Sequence, residues 1–270
     1  MEVRKLDSTD AFYVLDLDGA ARSVGVVRVA PKVLVDGAEL LARATTYAFA
    51  TFGVQAGGVS AGVNAKPDAA GDAVAAFVES VRGDGALTFF AGTGVPPGSL
   101  PAIDDDLAAR GAVTAAAAFG SGRAGVAGPA AVEWADRLAG IWTGTWAGAG
   151  GFDAAVDVLF LAGRAGIVDD DAANAVQAKV LVPVTPVPVT AKAYATLNRA
   201  DVTFVPDAVS CAAPLLAVAD PDGGNPVERV AAVAAELAAE DGEPWRNAVA
   251  RAETFLATWQ QALPYGRPLA

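Results

Sequence analysis

Between Val156 and Val205 the chain alternates short apolar runs with helix-compatible stretches, and this alternation restricts its fold more than any other feature. The spacing predicts a strand over Val156–Leu161, a helix over Asp170–Val176 and a strand over Lys179–Val182. A helix capped by Thr190 and a strand over Val202–Val205 follow. Strands and helices that alternate at such short spacing imply right-handed parallel βαβ units.

The composition removes whole classes of chemistry. With 270 residues, 53% of them apolar, the chain can bury one large core or two small ones. It has no histidine and a single cysteine, Cys211. Imidazole metal sites, Ser-His-Asp triads, Cys-His pairs and thiolate zinc sites are therefore excluded, and no metal ligands are expected. Acid–base work falls to Asp, Glu, Lys, Tyr or bound water. A net charge of −12, with 19 scattered basic residues, argues against a nucleic-acid partner. No apolar run has the length of a membrane span, and MEVRKLDSTD lacks the apolar segment of a signal peptide. The expectation is a cytoplasmic protein with no membrane contact.

In the first third, Phe12–Leu17 and Ser23–Val29 read as strands joined by Asp18-Gly19, a hairpin. Asp36 and Glu39 form a capping-box pattern before a helix in which Leu40, Ala44, Tyr47 and Ala48 recur at helical spacing. Gly53, Gly57, Gly58 and Gly62 then allow a sharp turn and a close approach of backbone. A second helix, Asp72 to Arg82, buries Val74, Phe77, Val78 and Val81, and a strand follows at Ala86–Phe90. At the other end, Asn225 caps a helix that starts at Pro226, Asp241-Gly242 breaks it, and Trp245 to Leu263 forms a last helix.

The stretch RATTYAFATFGVQAGGVSAGVNAKPD resembles the substrate-site signature of the Glu/Leu/Phe/Val (amino-acid) dehydrogenase family. That family has Thr-Tyr-Lys and then a glycine-rich turn bearing a second lysine. Here Thr46-Tyr47 is followed by Ala48, and Ser60 stands twelve positions further on in place of the second lysine. Gly25-Val26-Val27-Arg28 is similar to the family's Gly-Gly-Thr-Arg strand, with one glycine and the arginine kept. The proton-transfer aspartate that the resemblance implies aligns with Ala91 or Gly92, and no carboxylate occurs between Asp84 and Asp104. Asp153 to Pro214 is similar to the second half of the family's nucleotide domain. There the family's Gly-Ala-Asn-x-Pro-Thr loop becomes Val184–Val189, and Cys211 replaces the asparagine that meets the nicotinamide.

Gly120-Ser121-Gly122-Arg123-Ala124-Gly125 fits Gly-x-Gly-x-x-Gly, the turn that lays a pyrophosphate on a helix N-terminus. It is preceded by the apolar VTAAAAF and followed by a helix over Pro129–Leu138. Gly120, Gly122 and Gly125, with Cys211, are thus the cofactor-site candidates. The favoured reading is nevertheless that the first nucleotide-binding βα unit is largely deleted. Arg123–Leu138 would then match the family's interdomain helix.

The expected fold is α/β, with an N-terminal mixed sheet-and-helix domain and a reduced Rossmann-like parallel βαβ domain. The boundaries read as 1–110 and 111–242, with a C-terminal helix, 243–270, packing back on the first part. The family oxidises amino acids with NAD(P). Without its two lysines and its aspartate, that activity is expected to be absent. No cofactor is expected, although NAD(P) stays open. The chain reads as a non-catalytic subunit or small-molecule binder, a homo-oligomer or a hetero-oligomer with an active paralogue. The alternatives are reused cleft chemistry, with Tyr47 and Lys66 as cleft candidates, or a residual oxidoreductase. Lys66 also reads as a solvent-facing strand-end lysine, and Cys211 as a small buried hydrophobe.

Overall fold

The computed structural model describes residues 1–264 and 266–270. Two five-stranded sheets organise the chain, each flanked by helices. The first is built from β1 (Glu2–Leu6), β2 (Ala11–Leu15), β3 (Ser23–Ala30), β4 (Gly57–Asn64) and β5 (Leu87–Ala91), with α1 (Val35–Thr51) and α2 (Ala70–Val81) between them. After α3 (Asp105–Phe119), the second sheet uses β6 (Arg123–Ala127), β7 (Thr145–Gly150), β8 (Val158–Leu161), β9 (Val180–Pro183) and β10 (Thr203–Phe204). Their connecting helices are α4 (Ala131–Ala139), α5 (Asp170–Ala175) and α6 (Ala191–Arg199). The chain closes through α7 (Asp207–Ser210), α8 (Ala213–Ala219), α9 (Pro226–Ala239) and α10 (Pro244–Leu256).

The second sheet, in the order β10-β9-β8-β6-β7, is wholly parallel, as the alternating pattern requires. Val158–Leu161 and Val180–Pro183 are buried at every position, because helices cover both faces of the sheet. The fold is therefore α/β, a mixed sheet joined to a Rossmann-like parallel sheet.

The first sheet departs from expectation. β2 and β3 do not pair as a hairpin: β4 lies between them, antiparallel to β2 and parallel to β3. The hairpin partner of β2 is instead β1, which the alternating charges of Glu2–Leu6 concealed. Glycine explains why β4 takes the centre. A Cβ at Gly58 would lie 1.7 Å from the carbonyl oxygen of Ala42, so only glycine lets α1 press this closely on the sheet. Thr46 Oγ1 accepts from the Gly58 N–H across the same contact.

The capping box is also corrected. α1 starts at Val35, and Leu34 holds the N-cap position with no side-chain cap. Asp36 thus lies inside the first turn, where its charge meets the helix dipole rather than a free N–H. The last helix is shorter than expected, ending at Leu256, where the Ala257 N–H donates to the carbonyl of Glu253 and the Thr258 N–H to that of Phe255. It packs on α1: Tyr47 donates to Glu253, and Arg251 Nε donates to the carbonyl of Thr51 at 2.9 Å.

Deletion of the first βα unit is overturned. β6, α4 and β7 form a parallel βαβ unit at the sheet edge, and the helix before it is α3, not Arg123–Leu138. The glycine motif misled because VTAAAAF is the end of α3. Gly120 to Gly125 therefore joins a helix to a strand, the reverse of a dinucleotide turn. Alanine-rich apolar sequence does not by itself separate buried helix from strand.

Candidate functional site

A cleft of about 510 Å³ opens between the two sheets. Strand β3 and helix α1 supply Val26, Ala44, Thr45 and Ala48 to one wall, and α3 and α4 supply Ala108 and Trp134. The loop after β9 closes it with Thr185, and helix α7 with Asp207 and its C-cap Cys211. Its walls are largely apolar. Its charged side chains are Asp105, Glu133 and Asp207; among the described residues no lysine or arginine lines it.

Asp207 is 4% exposed and accepts from the Val187 N–H at 2.7 Å. Burial pushes its carboxyl up to about 6, against the opposing pull of that hydrogen bond. The bond also holds Val187, a β-branched residue at φ 55, in a left-handed conformation it would otherwise avoid. Burial, then the neighbouring Asp207 charge, raises the Cys211 thiol well above its ordinary range, so the thiol stays protonated and inert.

The candidates named from the sequence divide. Ala48, Ala91 and Cys211 line the cleft. Ser60 is fully buried within β4, and its Oγ has no hydrogen-bond partner among the described residues. Tyr47 points away from the cleft, its hydroxyl 3.2 Å from Glu253 Oε1. Lys66 is exposed just beyond β4, ahead of a 3-10 turn at Pro67–Ala69. Gly120 and Gly122 lie ahead of the β6 backbone ladder and Gly125 lies within it, at the opposite end of the strand from its βα turn. Ligands in open α/β sheets bind outside the carboxyl ends of the strands.

The turn that does occupy that place is Gly128-Pro129-Ala130, between β6 and α4. Gly128 has φ 110, and a Cβ there would lie 2.2 Å from the carbonyl oxygen of Ala162. It stands between a parallel strand and the following helix, where the first glycine of a dinucleotide turn would stand. Ala130 and Glu133 stand where the second and third glycines would follow. Pro129 removes a backbone donor, and Glu133 sets a carboxylate in the first turn of α4, at the cleft wall. Sequence reading passed over this turn because a single glycine gives no motif.

Arg28, the arginine of the Gly25-Val26-Val27-Arg28 strand, has its Nε and Nη2 atoms buried, with no partner among the described residues. It lines a second cavity, of about 530 Å³, that shares Val26, Leu41, Gly92 and Thr185 with the cleft. Burial lowers the guanidinium's affinity for its proton.

A mixed sheet followed by a parallel sheet, with a cleft between them, is the architecture of the amino-acid dehydrogenases, and the chain has that fold. It is similar to L-tryptophan dehydrogenase from Nostoc punctiforme, with a TM-score of 0.71, 16% identity and 97% of each chain covered. Hetero-hexameric glutamate dehydrogenase from Thermus thermophilus, in a leucine-bound form, gives a TM-score of 0.72 at 18% identity over 94% of this chain and 86% of that one. A further glutamate dehydrogenase gives 0.72 at 14% identity over 97% and 86%. No protein-family model and no curated protein matches the chain.

Proposed function

We propose that the chain is a member of the Glu/Leu/Phe/Val dehydrogenase family that does not oxidise amino acids. Its cleft serves as a small-molecule binding site, in a regulatory or assembly subunit. The observation that carries this reading is the charge of the cleft, whose charged side chains are all carboxylates. An amino-acid carboxylate held within the cleft itself would lose its hydration and meet no cation there, since the cations line the adjoining cavity. Ala48 and Ala91 offer neither a cation nor a proton carrier to a reacting amino acid.

The dinucleotide fits no better. Ala130 and Glu133 crowd the turn that a pyrophosphate needs, and Glu133 repels it at the helix N-terminus where its charge should be balanced. A carbon–nitrogen oxidation without a hydride acceptor does not proceed, so binding is the activity left to the cleft.

The subunit reading draws on the Thermus thermophilus neighbour, which is hetero-hexameric and carries leucine. A chain of this fold that binds a ligand without turnover suits the regulatory place in such an assembly, in the cytoplasm, beside an active paralogue or copies of itself. Reused catalysis has one group in its favour, Asp207, a cleft carboxyl near 6 that could exchange a proton at neutral pH.

Calorimetric titration with NAD⁺, NADH, NADP⁺ and NADPH, followed by an absorbance assay over an amino-acid panel, tests the proposal. No dinucleotide binding and no turnover are expected. Micromolar dinucleotide affinity would overturn it and restore an oxidoreductase.

A further inference from the structure

The cavity next to the cleft has the opposite charge. Arg28, Lys32 and Arg164 line it, and among the described residues no Asp or Glu does. Arg28 projects from β3, Lys32 follows that strand, and Arg164 comes from the loop after β8, so cations from both halves of the molecule converge. Lys32 and Arg164 are exposed. Arg28 is not: its Nε and Nη2 are shut off from solvent, with no acceptor within reach among the described residues. Guanidinium donors held this way are expensive unless something accepts from them.

The surroundings keep Arg28 in place. Its Cγ lies 3.4 Å from where a Cβ on Gly92 would sit, and its Nη1 lies 3.4 Å from the corresponding position on Gly37. Gly37 belongs to the first turn of α1, the helix whose N-terminus has no side-chain cap. The positive end of that helix adds to the same field. Asp36 and Glu39, on the first turns of α1, do not line the cavity.

We infer that this cavity is an anion subsite that takes the carboxylate or phosphate head of a small organic ligand, with the ligand's apolar body in the adjoining cleft. The unpartnered guanidinium converging with Lys32 and Arg164 carries the inference. The exposed Lys32 and Arg164 can meet either oxyanion directly, and the buried Arg28 adds its charge to the same cavity. The shared wall of Val26, Leu41, Gly92 and Thr185 makes the two cavities continuous, so one molecule can span them. The placement of the apolar body rests on the proposed binding role of the cleft; the anion grip does not.

Calorimetry of the full chain at low ionic strength, with inorganic phosphate, phenylacetate and phenylacetamide, tests this. Wild type should bind phenylacetate or phosphate, and Arg28→Gln should weaken that binding about tenfold or more. Phenylacetamide, which keeps the apolar body without the charge, should bind wild type and R28Q alike. Preference for phosphate or for phenylacetate identifies the head group. Should R28Q fail to fold, the double variant Lys32→Gln/Arg164→Gln, altered only at exposed positions, should show the same direction of loss. Equal anion affinity in wild type and variants, or no anion binding by wild type, would overturn the inference. Anion binding without phenylacetamide binding would keep the subsite and remove the cleft as the seat of the ligand's body.

Discussion

The Tyr47 hydroxyl donates to Glu253 Oε1 at 3.2 Å and ties α1 to α10, 206 residues apart in sequence. Glu253 also accepts from Arg267 Nε at 3.1 Å, so one carboxylate anchors the chain's last residues to the helix that forms the cleft wall. Burial and the Glu253 charge raise the Tyr47 hydroxyl above its ordinary range, and it stays protonated. Tyr47→Phe should therefore cost about 1.5–3 kcal/mol of stability in denaturant unfolding, the range for a hydrogen bond to a charged group. Ligand affinity in the cleft should not change. A loss of affinity with stability intact would return Tyr47 to the site.

Asp16, just beyond β2, and Arg43 of α1 form a buried ion pair. Asp16 Oδ1 accepts from Arg43 Nε at 3.2 Å and Nη2 at 3.1 Å, with both side chains largely buried. Desolvation still raises the Asp16 carboxyl, outweighing Thr46 and Arg43. Removing one partner leaves a buried charge uncompensated, so Arg43→Ala should destabilise by about 3–5 kcal/mol, read from the urea midpoint at neutral pH. An effect below about 1 kcal/mol would mean that water reaches Asp16.

Asp207 predicts a pH dependence of definite sign. Its carboxyl moves from an ordinary 3.8 to about 6 in the folded protein, so the native state holds this proton more tightly than the unfolded chain does. The stability that proton contributes is complete below the unfolded value and is lost as pH rises through about 6. Urea midpoints collected from pH 4 to 7 should show wild type losing this contribution, with Asp207→Asn lacking it. Identical slopes for the two proteins would show that the carboxyl titrates normally.

Two glycines should resist substitution for different reasons. Gly58→Ala drives a methyl into the Ala42 carbonyl where α1 meets β4, and Gly128→Ala does so at Ala162 while also requiring φ 110. Each should cost at least about 1–3 kcal/mol, the range for strained backbone. Thermal unfolding reports both. Gly71→Ala is the control: a Cβ there meets nothing within 4 Å, and the midpoint should stay within a degree or so of wild type or rise. Should Gly58→Ala behave like the control, the close approach of α1 to β4 is wrong.

What the sequence determined was local and periodic. The caps at Thr190 and Asn225 rest on interactions between near neighbours and stand where the pattern put them, and the strands expected over Val156–Leu161 and Lys179–Val182 form at Val158–Leu161 and Val180–Pro183. Ala48 and Ala91 line the cleft only because tertiary packing brings α1 and β5 to it. Pairing partners were decided elsewhere. β4 enters between β2 and β3 because Gly58 admits a helix to the sheet, a contact between groups that no turn signal between Leu17 and Ser23 encodes. The glycines at 120, 122 and 125 show the converse: the motif is local, but whether a strand or a helix precedes it depends on the burial of an alanine-rich segment. Nothing in the sequence around Arg28 or Asp207 marks the burial of either. Only packing strips one of partners and raises the carboxyl of the other, because desolvation belongs to the assembled chain and not to any stretch of it.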